Sequence, residues 1–168
     1  MPGSIPENRH WILNKILEIN PETILDVGPG KGTYSDLIKD APISPIIDGV
    51  EIWEPYVANY NLLSKYNKIT IKDVREHDDF NYDLVIFGDI LEHMTKEDSI
   101  MVWEKVSKQA RYAIISLPIV YYPQKHSHGN PYEAHVVDNW NHKDVMNTFS
   151  NIIDSSQKKV TGAYLAKF

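Results

Sequence analysis

Apolar residues follow two alternating patterns along this chain. Short continuous runs such as residues 84–87 predict strands that are buried on both faces. Apolar residues three or four positions apart, such as Ile12, Ile16 and Leu17, predict amphipathic helices. The predicted strands span residues 23–27, 46–51, 68–71, 82–87 and 112–117, and the predicted helices span residues 7–20, 33–39, 55–66, 95–109 and 140–149. Two closing strands are predicted at residues 152–153 and 160–168, around a turn near Ser156 and Gln157.

The order of these elements indicates the fold class. Strands that alternate with helices form a parallel sheet with helices on both faces, so we predict a doubly wound α/β fold. Residues 118–139 form a long irregular segment that is rich in aromatic and polar side chains. Loops of this length inside a compact domain are usually functional or disordered. Because this one is rich in aromatic and polar side chains rather than in Ser, Lys and Glu, we predict that it covers a ligand.

The composition is that of one folded domain. The chain has 168 residues, of which 42% are hydrophobic and 24% charged. No apolar run is long enough to span a bilayer, and the first residues do not begin a signal peptide, so we expect no membrane association and a cytoplasmic location. The absence of cysteine excludes disulfide bonds, thiolate nucleophiles and cysteine-bound zinc. The net charge of −6 argues against nucleic acid as a partner, because a phosphate backbone is bound by clustered Lys and Arg.

A turn with three glycines, Gly28, Gly30 and Gly32, follows the first predicted strand. Glycine lets the backbone bend tightly and lets a ligand approach closely. The third glycine of the dinucleotide fingerprint is replaced by Thr33, and the Ser or Thr that follows the lysine of a P-loop is replaced by Gly32. The turn, with Asp26 before it, resembles the first motif of class I S-adenosylmethionine-dependent methyltransferases.

The resemblance implies roles for two acidic residues, Asp26 and Asp89, and adds detail to the predicted sheet. It assigns Asp26 to the methionine ammonium group of the cofactor, while the turn passes under the methionine and ribose. Residues 88–94 resemble the fourth motif of small-molecule members of the superfamily, which places Asp89 in the cofactor crevice. The resemblance also implies a mostly parallel seven-stranded sheet with an antiparallel C-terminal strand within residues 160–168. The single domain then spans residues 1–168, with an N-terminal helix at 1–20, a cofactor-binding core at 21–117, an acceptor loop at 118–139 and a closing helix and strands at 140–168.

Acidic residues end several of the predicted strands. Glu51 ends the second strand 23 residues after Gly28, which is close to the interval at which a Rossmann-like site places a carboxylate on ribose hydroxyls. Asp73 follows the third strand, where the resemblance implies a contact with the adenine amino group and the alternative is a surface turn. Acids at one sheet edge suit a cofactor with a sulfonium and an ammonium group, so we predict S-adenosylmethionine, with S-adenosylhomocysteine as product. The predicted cofactor contacts are Asp26, Gly28, Gly30, Gly32, Glu51, Ile52, Asp73, Val74 and Asp89.

Histidines are the candidate catalytic residues. Methyl transfer to a hydroxyl requires a general base, and histidine is suited to that role near neutral pH. We predict this role for His93, after the fourth strand, and for His135, in the long loop; the alternatives are a helix-start residue bonded to backbone and an ordinary loop residue. The loop also contains His126, His128 and Glu133, which could form a transition-metal site with His135. We expect no metal here.

The leading hypothesis is a methyltransferase that acts on a hydroxyl of a small molecule such as a sugar, bound under residues 118–139. Residues 88–91 replace the Pro-Pro motif of amino-methylating nucleic-acid enzymes, and cytosine C5 methylation needs a cysteine. Two alternatives stay open, a nucleic-acid or protein methyltransferase that needs a partner and a non-catalytic cofactor-binding subunit. A nicotinamide-dependent reductase is disfavoured by Thr33. The acceptor, O- versus N-methylation and the oligomeric state stay open.

Overall fold

The centre of the protein is one seven-stranded sheet, seen in a computed structural model that describes residues 5–127 and 129–168. The strands are β1 (Thr23–Val27), β2 (Ile46–Glu51), β3 (Lys68–Ile71), β4 (Leu84–Gly88), β5 (Tyr112–Pro118), β6 (Ile152–Gln157) and β7 (Thr161–Lys167). The helices are α1 (Arg9–Ile19), α2 (Thr33–Ile38), α3 (Pro55–Asn59), α4 (Lys96–Ser107) and α5 (His142–Thr148). Short 3₁₀ turns occupy Pro6–Asn8, Leu62–Ser64, Val74–Glu76, Leu91–His93 and Pro131–Glu133.

The strands follow the order β3-β2-β1-β4-β5-β7-β6 across the sheet. The first five strands run parallel to one another. Strand β7 lies between β5 and β6 and is antiparallel to both. The predicted fold is therefore confirmed, including the antiparallel strand within residues 160–168.

The alternation of side chains along β4 shows how helices cover both faces of the sheet. Leu84 and Ile86 join a buried cluster with Ile12 and Ile16 of α1. Their neighbours Val85 and Phe87 point to the other face and join a cluster that includes Val102 and Trp103 of α4. Each of these side chains is at least 97% buried, and burying one of this size contributes roughly 1.5–3 kcal/mol to stability. The two clusters hold the sheet in place and leave its carboxyl edge for a ligand.

The predicted helix at residues 55–66 is wrong in its second half. Helix α3 ends at Asn59, and Asn61 adopts a left-handed conformation with φ 50° before the 3₁₀ turn Leu62–Ser64. The break places Leu62 in the core and its neighbour Leu63 at the surface: Leu62 is fully buried and Leu63 is 69% exposed. Asparagine tolerates this conformation better than other non-glycine residues, which explains why the chain turns here.

The closing hairpin also turns later than predicted. Ser156 and Gln157, where we predicted the turn, are paired residues of β6. The amide of Lys158 donates a 2.8 Å hydrogen bond to the carbonyl of Thr161, and this bond closes the turn beyond the strand. Strand β6 is therefore longer than the two residues that the apolar pattern indicated.

The segment at residues 118–139 is irregular, as predicted, and main-chain hydrogen bonds fix its path. The amides of Val136 and Val137 both donate to the carbonyl of Glu92, at 2.8 and 3.0 Å. The amide of Tyr122 donates to the carbonyl of Asp138 at 2.8 Å. The segment thereby lies over the carboxyl end of β4. No helix within the described ranges combines the length and hydropathy that a membrane span requires.

Candidate functional site

A cavity of about 310 Å³ lies at the carboxyl edge of β1, β2 and β4, under residues 118–139. This is the edge at which open α/β sheets bind ligands. Seven of the predicted cofactor residues and both predicted catalytic histidines line it: Gly28, Gly30, Glu51, Ile52, Asp73, Val74, Asp89, His93 and His135. Asp26 and Gly32 are not among the lining residues.

The glycines of the turn are required by its backbone and by its neighbours. Gly28, Gly30 and Gly32 have φ values of 65°, 55° and 84°, a region that residues with a Cβ rarely adopt. A Cβ on Gly28 would lie 2.0 Å from Cδ1 of Ile90. Gly32 is the residue directly before α2, and its left-handed backbone conformation begins that helix. A Cβ on Gly32 would lie 2.8 Å from Cδ of Lys65. The turn therefore packs directly against Ile90, which lines the cavity together with Gly28 and Gly30.

Glu51 joins the glycine turn to the end of β2. Its carboxylate accepts hydrogen bonds from the amides of Gly30, at 3.2 Å, and Trp53, at 2.8 Å. Burial raises the pKa of Glu51, although these two amides favour the ionised form. A carboxylate has about four acceptor positions, so Glu51 can still accept hydrogen bonds from a ligand in the cavity.

Asp26 lies behind the turn and is held there by a distant tyrosine. Its Oδ2 accepts a 2.6 Å hydrogen bond from the hydroxyl of Tyr66. Its Oδ1 is buried without a hydrogen-bond partner in the described part of the chain. Burial raises the pKa of Asp26 to about 7. A direct cofactor contact by Asp26 stays a prediction, and its side chain does not face the cavity in this structure.

Asp73 is engaged by a neighbouring arginine. Its carboxylate accepts hydrogen bonds from the backbone amide of Arg75, at 2.9 Å, and from the guanidinium of the same residue. This arginine lowers the pKa of Asp73. The contact with adenine stays a prediction, and a ligand here would share the carboxylate with Arg75.

Asp89 occupies a special backbone position at the end of β4. Its φ of 57° is left-handed, which is uncommon for a residue other than glycine and often marks a functional position. Its Oδ2 accepts a 2.8 Å hydrogen bond from the amide of Ile5, so the start of the described chain also lines the cavity. Burial raises the pKa of Asp89 to about 7.

His93 and His135 come together at the other end of the cavity. Their ring centroids are 4.9 Å apart and the rings meet edge to face. Nδ1 of His93 donates to the carbonyl of Ala134 at 3.1 Å, and Nδ1 of His135 donates to the carbonyl of Tyr122 at 2.6 Å. These bonds assign the proton to Nδ1 and leave Nε2 of each ring as an acceptor. Burial lowers the pKa of both histidines, which keeps them neutral.

Glu92 is the functional candidate that sequence reasoning missed. It directly precedes His93, lines the cavity and is 1% exposed. Among the described residues, Glu92, His93 and His135 form a group whose potential metal-binding atoms all lie within 4.8 Å of one another. The set suggested from the sequence, His126 and Glu133 with His135, is not brought together as a group in the part of the chain that the structure describes, and His128 lies outside the described residues.

Two glutamates, Glu92 and Glu133, show why the sequence alone gives little indication of which acids line the cavity. Glu133 lines the cavity and accepts a 2.9 Å hydrogen bond from the hydroxyl of Tyr56, far away in the sequence. The adjacent acid and histidine at residues 92 and 93 were a visible signal, but only the folded loop adds His135 to them. The burial of Glu92 could not be read from its polar residue type.

Neither a protein-family model nor a curated protein matches this chain. Among solved structures, a putative O-methyltransferase from Nostoc punctiforme has a TM-score of 0.69 at 16% identity. The match covers 95% of this chain but 55% of that protein, so this chain spans about half of its length.

Two further structures were determined with S-adenosylhomocysteine present. Magnesium protoporphyrin IX methyltransferase from Synechocystis, with bound S-adenosylhomocysteine, has a TM-score of 0.69 at 16% identity, and the match covers 96% of this chain and 82% of that one. The N-terminal domain of EvdMO1, in the presence of S-adenosylhomocysteine and D-fucose, has a TM-score of 0.67 at 13% identity, with 98% and 84% covered. At these identities the likeness shows a shared fold, and at that level it confirms the resemblance seen in the sequence.

Proposed function

We propose that this chain, which has the fold of class I S-adenosylmethionine-dependent methyltransferases, binds S-adenosylmethionine and transfers its methyl group to a hydroxyl of a small molecule. The observation that carries the proposal is the contact between the two predicted cofactor motifs. The amide of Gly30 in the turn donates to the carboxylate of Glu51, and both residues line one cavity.

The residues at this end of the cavity fit the cofactor. The glycine turn offers a surface without side chains, on which a methionine and a ribose can lie closely. Glu51 has free acceptor positions for the two ribose hydroxyls. Ile52, Asp73 and Val74 line the cavity beyond Glu51, where we place the adenine.

The acidic character of the site supports a cationic cofactor. Asp89 lines the cavity, and Asp26 lies directly behind the turn with one oxygen lacking a partner within the described residues. We propose that the ammonium group of the methionine is held on this side, by Asp89 directly or by Asp26 through a bridging water. Burial raises the pKa of both carboxyl groups to about 7, and a bound ammonium group would favour their ionised form.

The acceptor binds under residues 118–139 in this proposal. When bound, the cofactor supplies an already activated methyl group on its sulfonium, so the protein chiefly orients the acceptor in line with it. Nε2 of His93 and Nε2 of His135, each left as an acceptor by the bond that its Nδ1 makes, would accept the proton of an acceptor hydroxyl. A sugar is the class of acceptor that we favour, and the EvdMO1 domain with D-fucose provides a precedent for the fold.

The test is calorimetric titration of the purified protein with S-adenosylmethionine, S-adenosylhomocysteine and NAD. We expect micromolar binding of the first two and none of NAD. Glu51→Gln should weaken binding at least about ten-fold, because charge-assisted hydrogen bonds to ribose are lost. Glu54→Gln is the matched control, because Glu54 is exposed and lies outside the cavity.

Three results would contradict the proposal. Binding of NAD alone would overturn the assignment of the cofactor. Equal affinities of wild type and Glu51→Gln for S-adenosylhomocysteine would remove Glu51 from the site. If the cofactor binds but no hydroxyl compound is methylated, the non-catalytic alternative takes the place of the enzyme.

A further inference from the structure

Glu92 presents a deeply buried carboxyl group in the wall of the cavity. The residue is 1% exposed, and neither side-chain oxygen has a hydrogen-bond partner among the described residues. Its main chain is nevertheless well fixed, because its carbonyl accepts from the amides of Val136 and Val137. Leaving a buried carboxyl unpaired is costly, so a partner supplied from outside the chain would explain its presence.

The two neighbouring histidines lie close to this carboxyl group, and each has a nitrogen available for a ligand. Nε2 of His135 lies 4.0 Å from Oε1 of Glu92. The Nδ1 atoms of His93 and His135 each donate to a backbone carbonyl, which fixes both rings and leaves each Nε2 with a free lone pair. Metal-binding histidines usually have such a bond from the second nitrogen, since it fixes the tautomer and the ring orientation.

We propose that Glu92, His93 and His135 bind one divalent transition-metal ion in the cavity. Their potential ligand atoms lie within 4.8 Å of one another. Ligands on a metal at about 2.1 Å lie roughly 3–3.5 Å apart, so side-chain shifts of about 1 Å bring the three atoms onto one ion. The three come from the end of β4 and from the loop, two parts of the structure that main-chain bonds already hold together.

The donor set indicates the class of metal. Two imidazoles and one carboxylate suit Zn²⁺, Mn²⁺ or Fe²⁺, whereas Mg²⁺ prefers carboxylates and water. Three protein ligands also leave at least one open position on the ion, as in catalytic rather than structural metal sites. The site is thus built to bind a further molecule.

The role of the ion rests on the proposed function, although its binding does not. An acceptor hydroxyl at the open position would lose its proton to solvent water more readily, because a bound cation lowers the pKa of the hydroxyl. The histidines would then serve as ligands rather than as bases. An acceptor with two adjacent hydroxyls, such as a sugar, could occupy two open positions and be oriented by the ion.

The test is titration of chelator-treated protein with ZnCl₂, MnCl₂ and MgCl₂ by calorimetry, without any cofactor. We expect one Zn²⁺ or Mn²⁺ per chain, at least ten-fold weaker binding by Glu92→Gln and by His135→Ala, and little binding of Mg²⁺. His126→Ala is the matched control, because His126 is exposed in the same loop and should leave the affinity unchanged. Bound Co²⁺ should give visible absorption bands that Glu92→Gln loses.

Two outcomes would overturn the proposal. The first is the absence of stoichiometric binding of any transition metal by the wild type. The second is unchanged affinity in both Glu92→Gln and His135→Ala, with circular dichroism showing that the variants are folded. The metal titration contains no cofactor, so its result does not depend on whether the protein binds S-adenosylmethionine. Failure of the metal proposal can therefore be distinguished from failure of the proposed function.

Discussion

Asp26 shows how a residue can be found by its motif and still have unexpected contacts. The sequence placed it at the end of β1, where it is. The sequence could not show that Tyr66, at the end of an interrupted helix, donates a hydrogen bond to it and that burial raises its pKa to about 7. Glu51 was easier to predict, because its position depends on one strand and one short interval. Contacts between distant segments are what a local pattern cannot provide.

The pKa of Asp26 predicts a pH dependence of stability. Its folded-state pKa of about 7 exceeds its ordinary value of 3.8, so the folded protein keeps a proton that the unfolded chain has lost. The contribution of Asp26 to the free energy of unfolding should therefore fall as the pH rises from about 4 to about 7 and then stay constant. Asp26→Asn removes this dependence, so it should gain stability relative to wild type over that interval, measured by urea unfolding.

The control for this experiment is Asp40→Asn, because Asp40 is exposed in the loop after α2. The stability difference between this variant and wild type should not follow the same trend. A constant difference between Asp26→Asn and wild type from pH 4 to pH 7 would show that Asp26 titrates normally. An overall loss of stability in the variant does not affect this conclusion, since the slope carries the information.

At the scale of elements, the sequence predicted the bounds of β1, β2 and β3 correctly at both ends. These strands are short, and β1 and β2 are buried at their carboxyl ends, so the signals that define them are local. The helix after β2 was predicted too long, because its apolar spacing continues through Asn61. Periodicity does not detect a single left-handed residue.

Asn61 provides a test of the break between α3 and the following 3₁₀ turn. Asn61→Ala should destabilise the protein by about 1 kcal/mol, because a Cβ without a local hydrogen-bonding group raises the energy of the left-handed conformation. Asn61→Gly should be close to neutral, since glycine adopts this conformation freely. The side chain of Asn61 is exposed, so lost packing does not confuse the comparison. Equal stabilities of the two variants in urea unfolding would show that the backbone is not held in this conformation.

At the scale of the whole molecule, the cavity is assembled from segments far apart in sequence. The turn after β1, the end of β2, the end of β4, Ile5 and the loop at residues 118–139 all line it. The sequence predicted the first three, because each is a strand end with a recognisable motif. The hydrogen bond from Ile5 to Asp89 and the grouping of Glu92 with the two predicted histidines depend on the folded arrangement, so the sequence did not predict them. The role of residues 118–139 as an acceptor loop stays a prediction.

Ligand binding should therefore protect distant segments together. If S-adenosylhomocysteine fills the cavity, hydrogen exchange should slow at Ile5 and in residues 118–139, by up to about 100-fold at a ligand concentration of 100 times Kd. Strand β6 lies at the far edge of the sheet and is the internal control for local opening. Faster or unchanged exchange in the loop, with the ligand shown to be bound, would separate the loop from the cofactor site.

The loop over the cavity is fixed mainly through its main chain, at Tyr122, His135, Val136 and Val137. Any residue except proline can supply such bonds, so the path of the loop does not depend on most of the side chains that it presents. Exposed side chains such as Lys125 and His126 could therefore change over evolutionary time, or in a directed library, without moving the loop, whereas Gln124, Asn130 and Glu133 hold it through side-chain hydrogen bonds. Under the proposed function, exposed side chains of this loop would set the selectivity for the acceptor, while the glycine turn and Glu51 on the opposite side of the cavity would hold the cofactor.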